Sequence, residues 1–121
     1  MKTIIIILSL FISLNVLAHG GGGFKHSDIF KNLGPNDKVA ILMVHFGTTH
    51  DDTRALTIDA INKKVAQTFP GVEVREAYTS RMIMRRLKEK GITKPNPTEA
   101  MNKLIADGYT HLILQPTNII E

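Results

Sequence analysis

The feature that most narrows the choice of fold is the apolar run Lys38–Phe46 (KVAILMVHF), followed at once by the polar stretch Gly47-Thr48-Thr49-His50-Asp51-Asp52. A short run this rich in aliphatic and β-branched side chains, with no alternation, fits a strand buried on both faces, as inside a parallel sheet. The next segment, Thr53–Phe69, changes period. Leu56, Ala60, Ile61, Val65 and Phe69 recur at helical spacing, with Asp51 or Asp52 placed to cap the first turn and Pro70-Gly71 placed to stop the last.

The alternation then resumes. Val72–Tyr78 (VEVREAY) places Val72 and Val74 opposite Glu73 and Arg75, the pattern of a half-exposed strand near a sheet edge. Ser80 is placed to cap a helix running to Lys90, with Ile83, Met84 and Leu87 inward and Gly91 beyond its end. Asn96-Pro97-Thr98-Glu99 opens another helix with a capping residue, proline at the first position and glutamate at the third. Ala100, Met101, Leu104 and Ile105 are expected to face inward there, and Gly108 to end it. Thr110–Gln115 (THLILQ) reads as a last, short buried strand.

The order β-α-β-α-α-β predicts a three-layer α/β sandwich around a parallel sheet, with right-handed crossovers and the flavodoxin-like strand order 2-1-3. Ligands of such sheets bind beyond the carboxyl ends of the strands where the winding reverses. Those ends carry His45–His50 and Gln115–Asn118. The outer edge of the third strand is left open and apolar, so a further stretch of chain or a second copy, as in a homo-oligomer, is expected to cover it.

Ahead of this body, Met1–Ala18 (MKTIIIILSLFISLNVLA) has a basic start, an apolar stretch too short to span a bilayer comfortably, and small or aliphatic residues before Ala18. It reads as a signal peptide cleaved after Ala18. The product is expected in the periplasm or otherwise exported, with no membrane segment left and the leader's apolar residues outside the core. Residues 19–37 form a linker: His19 and the glycines Gly20–Gly23 as a flexible tail, Phe24–Leu33 as a short amphipathic helix, and the turn Gly34-Pro35-Asn36-Asp37. Residues 38–121 form the α/β unit, a modest length for a self-sufficient core.

Composition removes several classes of function. Cysteine is absent, which excludes disulfides and thiolate chemistry and leaves His, Asp and Glu as the available metal ligands. The net charge of +4 favours an anionic partner, but the lack of Trp and the 6% aromatic content argue against a base-stacking surface, so no nucleic acid is expected. The loop after the first strand lacks the glycines of a Walker or dinucleotide motif, so no nucleotide is expected either.

What remains is a set of side chains suited to anionic groups. Gly47 lets a ligand approach the backbone, while Thr48 and Thr49 supply hydroxyls and amides near a helix N-terminus. Thr79, Ser80 and Arg81 lie at the end of the second strand. With Arg85, Arg86 and Lys88 they form either a solvated face or a cationic rim for a polycarboxylate. His45 is either a satisfied core histidine or a ligand and proton acceptor. His50, Asp51 and Asp52 suit metal binding, capping or solvation. His111 opens the third strand at its amino end, away from the expected site.

Three segments agree in order and spacing with one family: MVHFGTTHDDTRALTIDAIN, FPGVEVREAYTSRMIMRRL and GITKPNPTEAMNKLIADGYTHLILQPTNII. From Lys38 onward the chain resembles the anaerobic sirohydrochlorin cobaltochelatases of the CbiK type. Its FGTT-x-x-D-TR element is Phe46–Thr49, Asp52, Thr53 and Arg54, which brings Arg54 into the candidate set. The resemblance implies a chelatase fold of two similar α/β halves, with only the first half present here, and so an incomplete chain. It also implies an ATP-independent metal chelatase, a lyase that inserts Co2+ into sirohydrochlorin for cobalamin biosynthesis. The resemblance also brings in haem as a ligand to expect, since related exported members look suited to handling iron, haem or cobalt. Chelation must remove two pyrrole protons and deliver a divalent ion, for which histidine and carboxylate suit. The family's histidine and glutamate metal ligands lie in the half without counterpart here, so no catalytic or metal residue is assigned and the chain alone is expected to be inactive. The sequence also departs from the family at Asn118, where relatives carry histidine.

The substrate-binding set is therefore His45, Gly47, Thr48, Thr49, Arg54, Thr79, Ser80, Arg81, Gln115 and Asn118. His19, His26, His45 and His50 support an alternative, a non-catalytic periplasmic module, as a dimer, that holds a tetrapyrrole or a metal ion.

Overall fold

A computed structural model of the chain describes residues 3–7 and 32–117. Asn118, His19, His26, the Phe24–Leu33 helix except its last two residues, and most of the leader and linker lie outside them. The elements are strand β1 (Ile4–Ile7), strand β2 (Val39–His45), helices α1 (Asp51–Leu56) and α2 (Ile58–Thr68), strand β3 (Glu73–Tyr78), helices α3 (Arg81–Glu89) and α4 (Pro97–Ala106), and strand β4 (His111–Pro116).

The four strands form one parallel sheet in the order β1-β4-β2-β3. The predicted 2-1-3 order appears as β3-β2-β4. β2, the apolar run, lies between β3 and β4, as its unbroken hydrophobicity requires. β3, the alternating segment, forms one edge.

The period of two sorts the core into layers. Ala40 and Leu42 point to one face, where Ala77, Leu112 and the α4 residues Ala100 and Leu104 join them. Ile41 and Met43 point to the other, where they meet Ile113 and Val65 of α2. Helices thus cover both faces, giving the expected three layers. A third cluster of Ile58, Tyr78 and Leu87 packs α3 beneath the start of α2, next to the carboxyl ends of the strands.

The helix starts follow the sequence signals. Ser80 accepts a hydrogen bond from the Ile83 amide at 3.3 Å. Asn96 and Glu99 form a full capping box: Asn96 Oδ1 accepts from the Glu99 amide at 2.8 Å, and Glu99 Oε1 from the Asn96 amide at 3.2 Å.

Three expectations change. The single helix over Thr53–Phe69 is broken at Thr57, whose hydroxyl donates to the Thr53 carbonyl at 2.6 Å. Ile58 and Val65 turn inward, while Leu56 is left 80% exposed and Ile61 stays at the surface. Asp51 and Asp52 lie inside the first turn and not at its cap, which is His50 without a side-chain bond. Ile105, expected inward on α4, is exposed, because Ala100 and Leu104 already define the buried stripe.

The edge of β4 that the sequence left open is covered. Ile4–Ile7 pairs in parallel with it, from Ile4 opposite His111 to Ile7 opposite Leu114. An extended, β-branched segment satisfies amides and carbonyls that would otherwise stand unpaired. Ile4 and Ile5 remain about half exposed.

Candidate functional site

Parallel pairing forces the carboxyl ends of β2, β3 and β4 to one end of the sheet. The register places His45 opposite Tyr78 and Val44 opposite Pro116. The chains leaving these strands are then tied together by backbone bonds. The Thr79 amide donates to the His45 carbonyl at 2.9 Å, Ser80 to Phe46 at 3.1 Å, and Thr117 to Val44 at 2.9 Å. Residues 45–49, 79–81 and 115–117 therefore lie together at one end of the sheet. His111 lies at the opposite end, bonded through Nδ1 to the Thr110 hydroxyl at 2.9 Å.

Gly47 makes the close approach of these loops possible. Its φ of +103° is in the left-handed region, and a Cβ there would stand 2.7 Å from Cδ2 of Tyr78. The Tyr78 ring fills the space a side chain would need. Burial pushes the Tyr78 hydroxyl up to about 12, with the Glu76 carboxylate adding to the shift, so it stays protonated. Its oxygen and one Arg54 nitrogen, Nη1, are buried without a hydrogen-bond partner.

His45 is 1% exposed and held at both ring nitrogens. Nδ1 meets the Thr117 hydroxyl at 2.7 Å and Nε2 meets Asn62 Oδ1 at 2.8 Å. Asn62 Nδ2 donates to Glu76 at 2.7 Å, and Lys94 pairs with the other Glu76 oxygen at 2.5 Å. Burial lowers the imidazole pKa, against opposing contributions from the Asn62 hydrogen bond and the Glu76 and Asp59 carboxylates. Of the two readings of His45, the structure shows the satisfied core histidine, with its ring out of a ligand's direct reach.

The other candidates divide by accessibility. Thr48 and Thr49 are half-buried, with the Thr48 hydroxyl accepting from the His50 amide at 3.2 Å and the Thr49 carbonyl accepting from Lys90 at 3.2 Å. Thr79 and Arg81 are exposed, as are Arg85, Arg86, Lys88 and Lys90 on α3 and just beyond it. Ser80 serves first as a helix cap. Arg54 is mostly buried and paired with Asp51 at 2.9 Å, so its charge is largely used within the protein. Gln115 is buried and donates to the Pro116 carbonyl at 2.8 Å. Asn118 lies outside the described residues.

The sequence reading missed two residues here. Phe46, which ends the apolar run of the first strand, is 58% exposed where the chain leaves β2. Thr117 was passed over between Gln115 and Asn118, although it joins β4 to His45. Beside these loops, His50, Asp51, Asp52, Thr53 and Lys90 line a shallow depression of about 570 Å³. No group of three or more His, Cys, Asp or Glu among the described residues could hold a metal ion. The surface combines an exposed aromatic ring, hydroxyls, amides and a cationic helix face, which suits a flat organic anion.

Comparison with known proteins gives this surface a context. The family model described as cobalt chelatase (CbiK) matches residues 39–121. The chain is 38% identical over 84 residues to the sirohydrochlorin cobaltochelatase of Salmonella typhimurium, covering 69% of this chain and 32% of that protein. It is 33% identical over 86 residues to the sirohydrochlorin cobaltochelatase CbiKC of Nitratidesulfovibrio vulgaris, covering 71% of this chain and 30% of that protein. The chain thus aligns with about a third of the length of these curated relatives.

Proposed function

The chain belongs to the cobalt chelatase (CbiK) family, and from that premise we propose that its α/β unit is the tetrapyrrole-holding part of a sirohydrochlorin cobaltochelatase. Such an enzyme inserts Co2+, the substrate metal, into sirohydrochlorin for cobalamin biosynthesis. The observation that carries the reading is the backbone lacing of three loops at one end of the sheet, Thr79 to His45, Ser80 to Phe46 and Thr117 to Val44.

Each part of that surface has a counterpart in the chemistry of the substrate. Sirohydrochlorin is a flat macrocycle with a rim of carboxylates. Phe46 offers an aromatic face to the ring. Thr48, Thr49 and the amides around Gly47 accommodate carboxylates at close range, and Arg81 with the α3 cations attracts them from further out. The described residues bring together no set of metal ligands. In this proposal the groups that deliver Co2+ come from the family's other half.

The test is an absorbance titration of the purified chain with sirohydrochlorin. Saturable binding is expected, weakened about threefold to tenfold by Arg81→Glu, in line with the loss of one charge-assisted contact at an exposed site. Cobalt insertion by these residues alone is expected to stay at the uncatalysed rate. Absence of binding, or binding indifferent to both Arg81→Glu and Phe46→Ala, would remove the reading. Haem run in the same titration shows whether the site also takes a tetrapyrrole with fewer carboxylates.

We also propose export, on the strength of the leader pattern in Met1–Ala18. Cleavage after Ala18 would carry away β1. Sequencing the amino terminus of the protein recovered from the periplasm checks this, with His19 expected as the first residue.

A further inference from the structure

Thr117 sits between the buried His45 ring and the surface formed by the strand ends, and the direction of its hydroxyl hydrogen follows from the network behind it. Asn62 uses its amide nitrogen on Glu76, so its oxygen faces Nε2 of His45 at 2.8 Å. An oxygen in that place requires a hydrogen on Nε2. The neutral ring then has a bare Nδ1, and the partner 2.7 Å away is the Thr117 hydroxyl. Thr117 must donate to it. Among the described residues, the other acceptor for that hydroxyl is the Val44 carbonyl, at 3.3 Å and also within the protein. Burial of the ring, which lowers its pKa, favours the neutral form.

We propose that Thr117 is a specificity-determining residue whose hydroxyl hydrogen is committed inward, so that it offers an incoming ligand lone pairs only and recognises a donor N–H of the macrocycle in preference to a carboxylate. If His45 does gain a proton, the conclusion holds. Thr117 then accepts from Nδ1–H and turns its hydrogen to the Val44 carbonyl, again inward. The carboxylates are left to Thr48, Thr49 and Arg81, whose donors are not tied up in this way. The inference rests on the tetrapyrrole reading and assigns it one polar contact that separates substrate from product: metal-free sirohydrochlorin carries pyrrole N–H groups at its centre, and the cobalt-loaded ring has lost them.

The test compares binding of metal-free sirohydrochlorin and of Co2+-loaded sirohydrochlorin by the wild-type chain, Thr117→Val and Thr117→Ser. Wild type is expected to prefer the metal-free ring by about threefold to tenfold, the net worth of one neutral hydrogen bond. Thr117→Ser keeps the hydroxyl and is expected to keep the preference; Thr117→Val is expected to lose it. A wild type without preference, or a Thr117→Val variant that retains it, overturns the proposal while leaving tetrapyrrole binding intact. Failure of both rings to bind overturns the tetrapyrrole reading and the donor preference with it. Independently of any ligand, nitrogen-15 NMR of the histidine rings is expected to show His45 as the Nε2–H tautomer. An Nδ1–H tautomer would mean that Thr117 accepts from the ring when neutral, and would contradict the inward commitment.

Discussion

At Gly47 the backbone takes a left-handed turn against the Tyr78 ring, and both constraints act on the same atom. Gly47→Ala is expected to lower stability by about 1–3 kcal/mol through overpacking alone, with further strain from the positive φ. Denaturant unfolding of the variant would measure it. His45 supplies a second expectation. Burial holds its folded pKa below the usual histidine value of about 6.5, so the unfolded chain takes up the proton first. The stability from the neutral buried ring is therefore complete above about pH 6.5 and is lost as pH falls below it toward the folded value. Unfolding free energy measured across this window should slope upward with pH, and His45→Gln should flatten the slope. At this scale the sequence was legible where chemistry is local. Gly47 before two threonines marked a close backbone approach, and histidine at the end of an apolar run offered both of its readings. It was not legible where the answer depends on a neighbour far along the chain. Asn62, 17 positions away from His45, holds its Nε2, and exposure of Phe46 depends on what the other loops leave uncovered.

Among the elements, the ends were easier to read than the faces. The capping box at Asn96 and Glu99 is a local pattern with a local cause, and it appears in the structure as expected. Asn96→Ala should cost about 1 kcal/mol in thermal or chemical unfolding, the usual worth of such a cap. The long helix was harder. Leu56, Ala60, Ile61, Val65 and Phe69 keep a helical period, yet the helix is interrupted at Thr57, whose hydroxyl bonds back to Thr53, and Leu56 and Ile61 are exposed. A hydroxyl-to-backbone bond of this kind competes with the helix and leaves the hydrophobic spacing unaltered, so periodicity does not register it.

In the molecule as a whole, the order of β3, β2 and β4 followed from the alternation of elements, because right-handed crossovers leave few alternatives. The edge strand did not follow. Ile4–Ile7 was read for its export signal, and the same β-branched residues also fit the exposed edge of β4. A chain beginning at His19 would lose that cover, and its β4 edge should promote concentration-dependent self-association. Sedimentation of the two forms side by side tests this, with the longer form expected to remain the smaller species. Under the proposed function, one surface at the carboxyl ends of β2, β3 and β4 receives the tetrapyrrole. Backbone NMR of the chain titrated with sirohydrochlorin tests that most directly. Perturbations should concentrate at Phe46–Thr49, Thr79–Arg81 and Thr117. Changes centred instead on Asp37–Val39 and Gly71–Glu73, at the other end of the sheet, would contradict it.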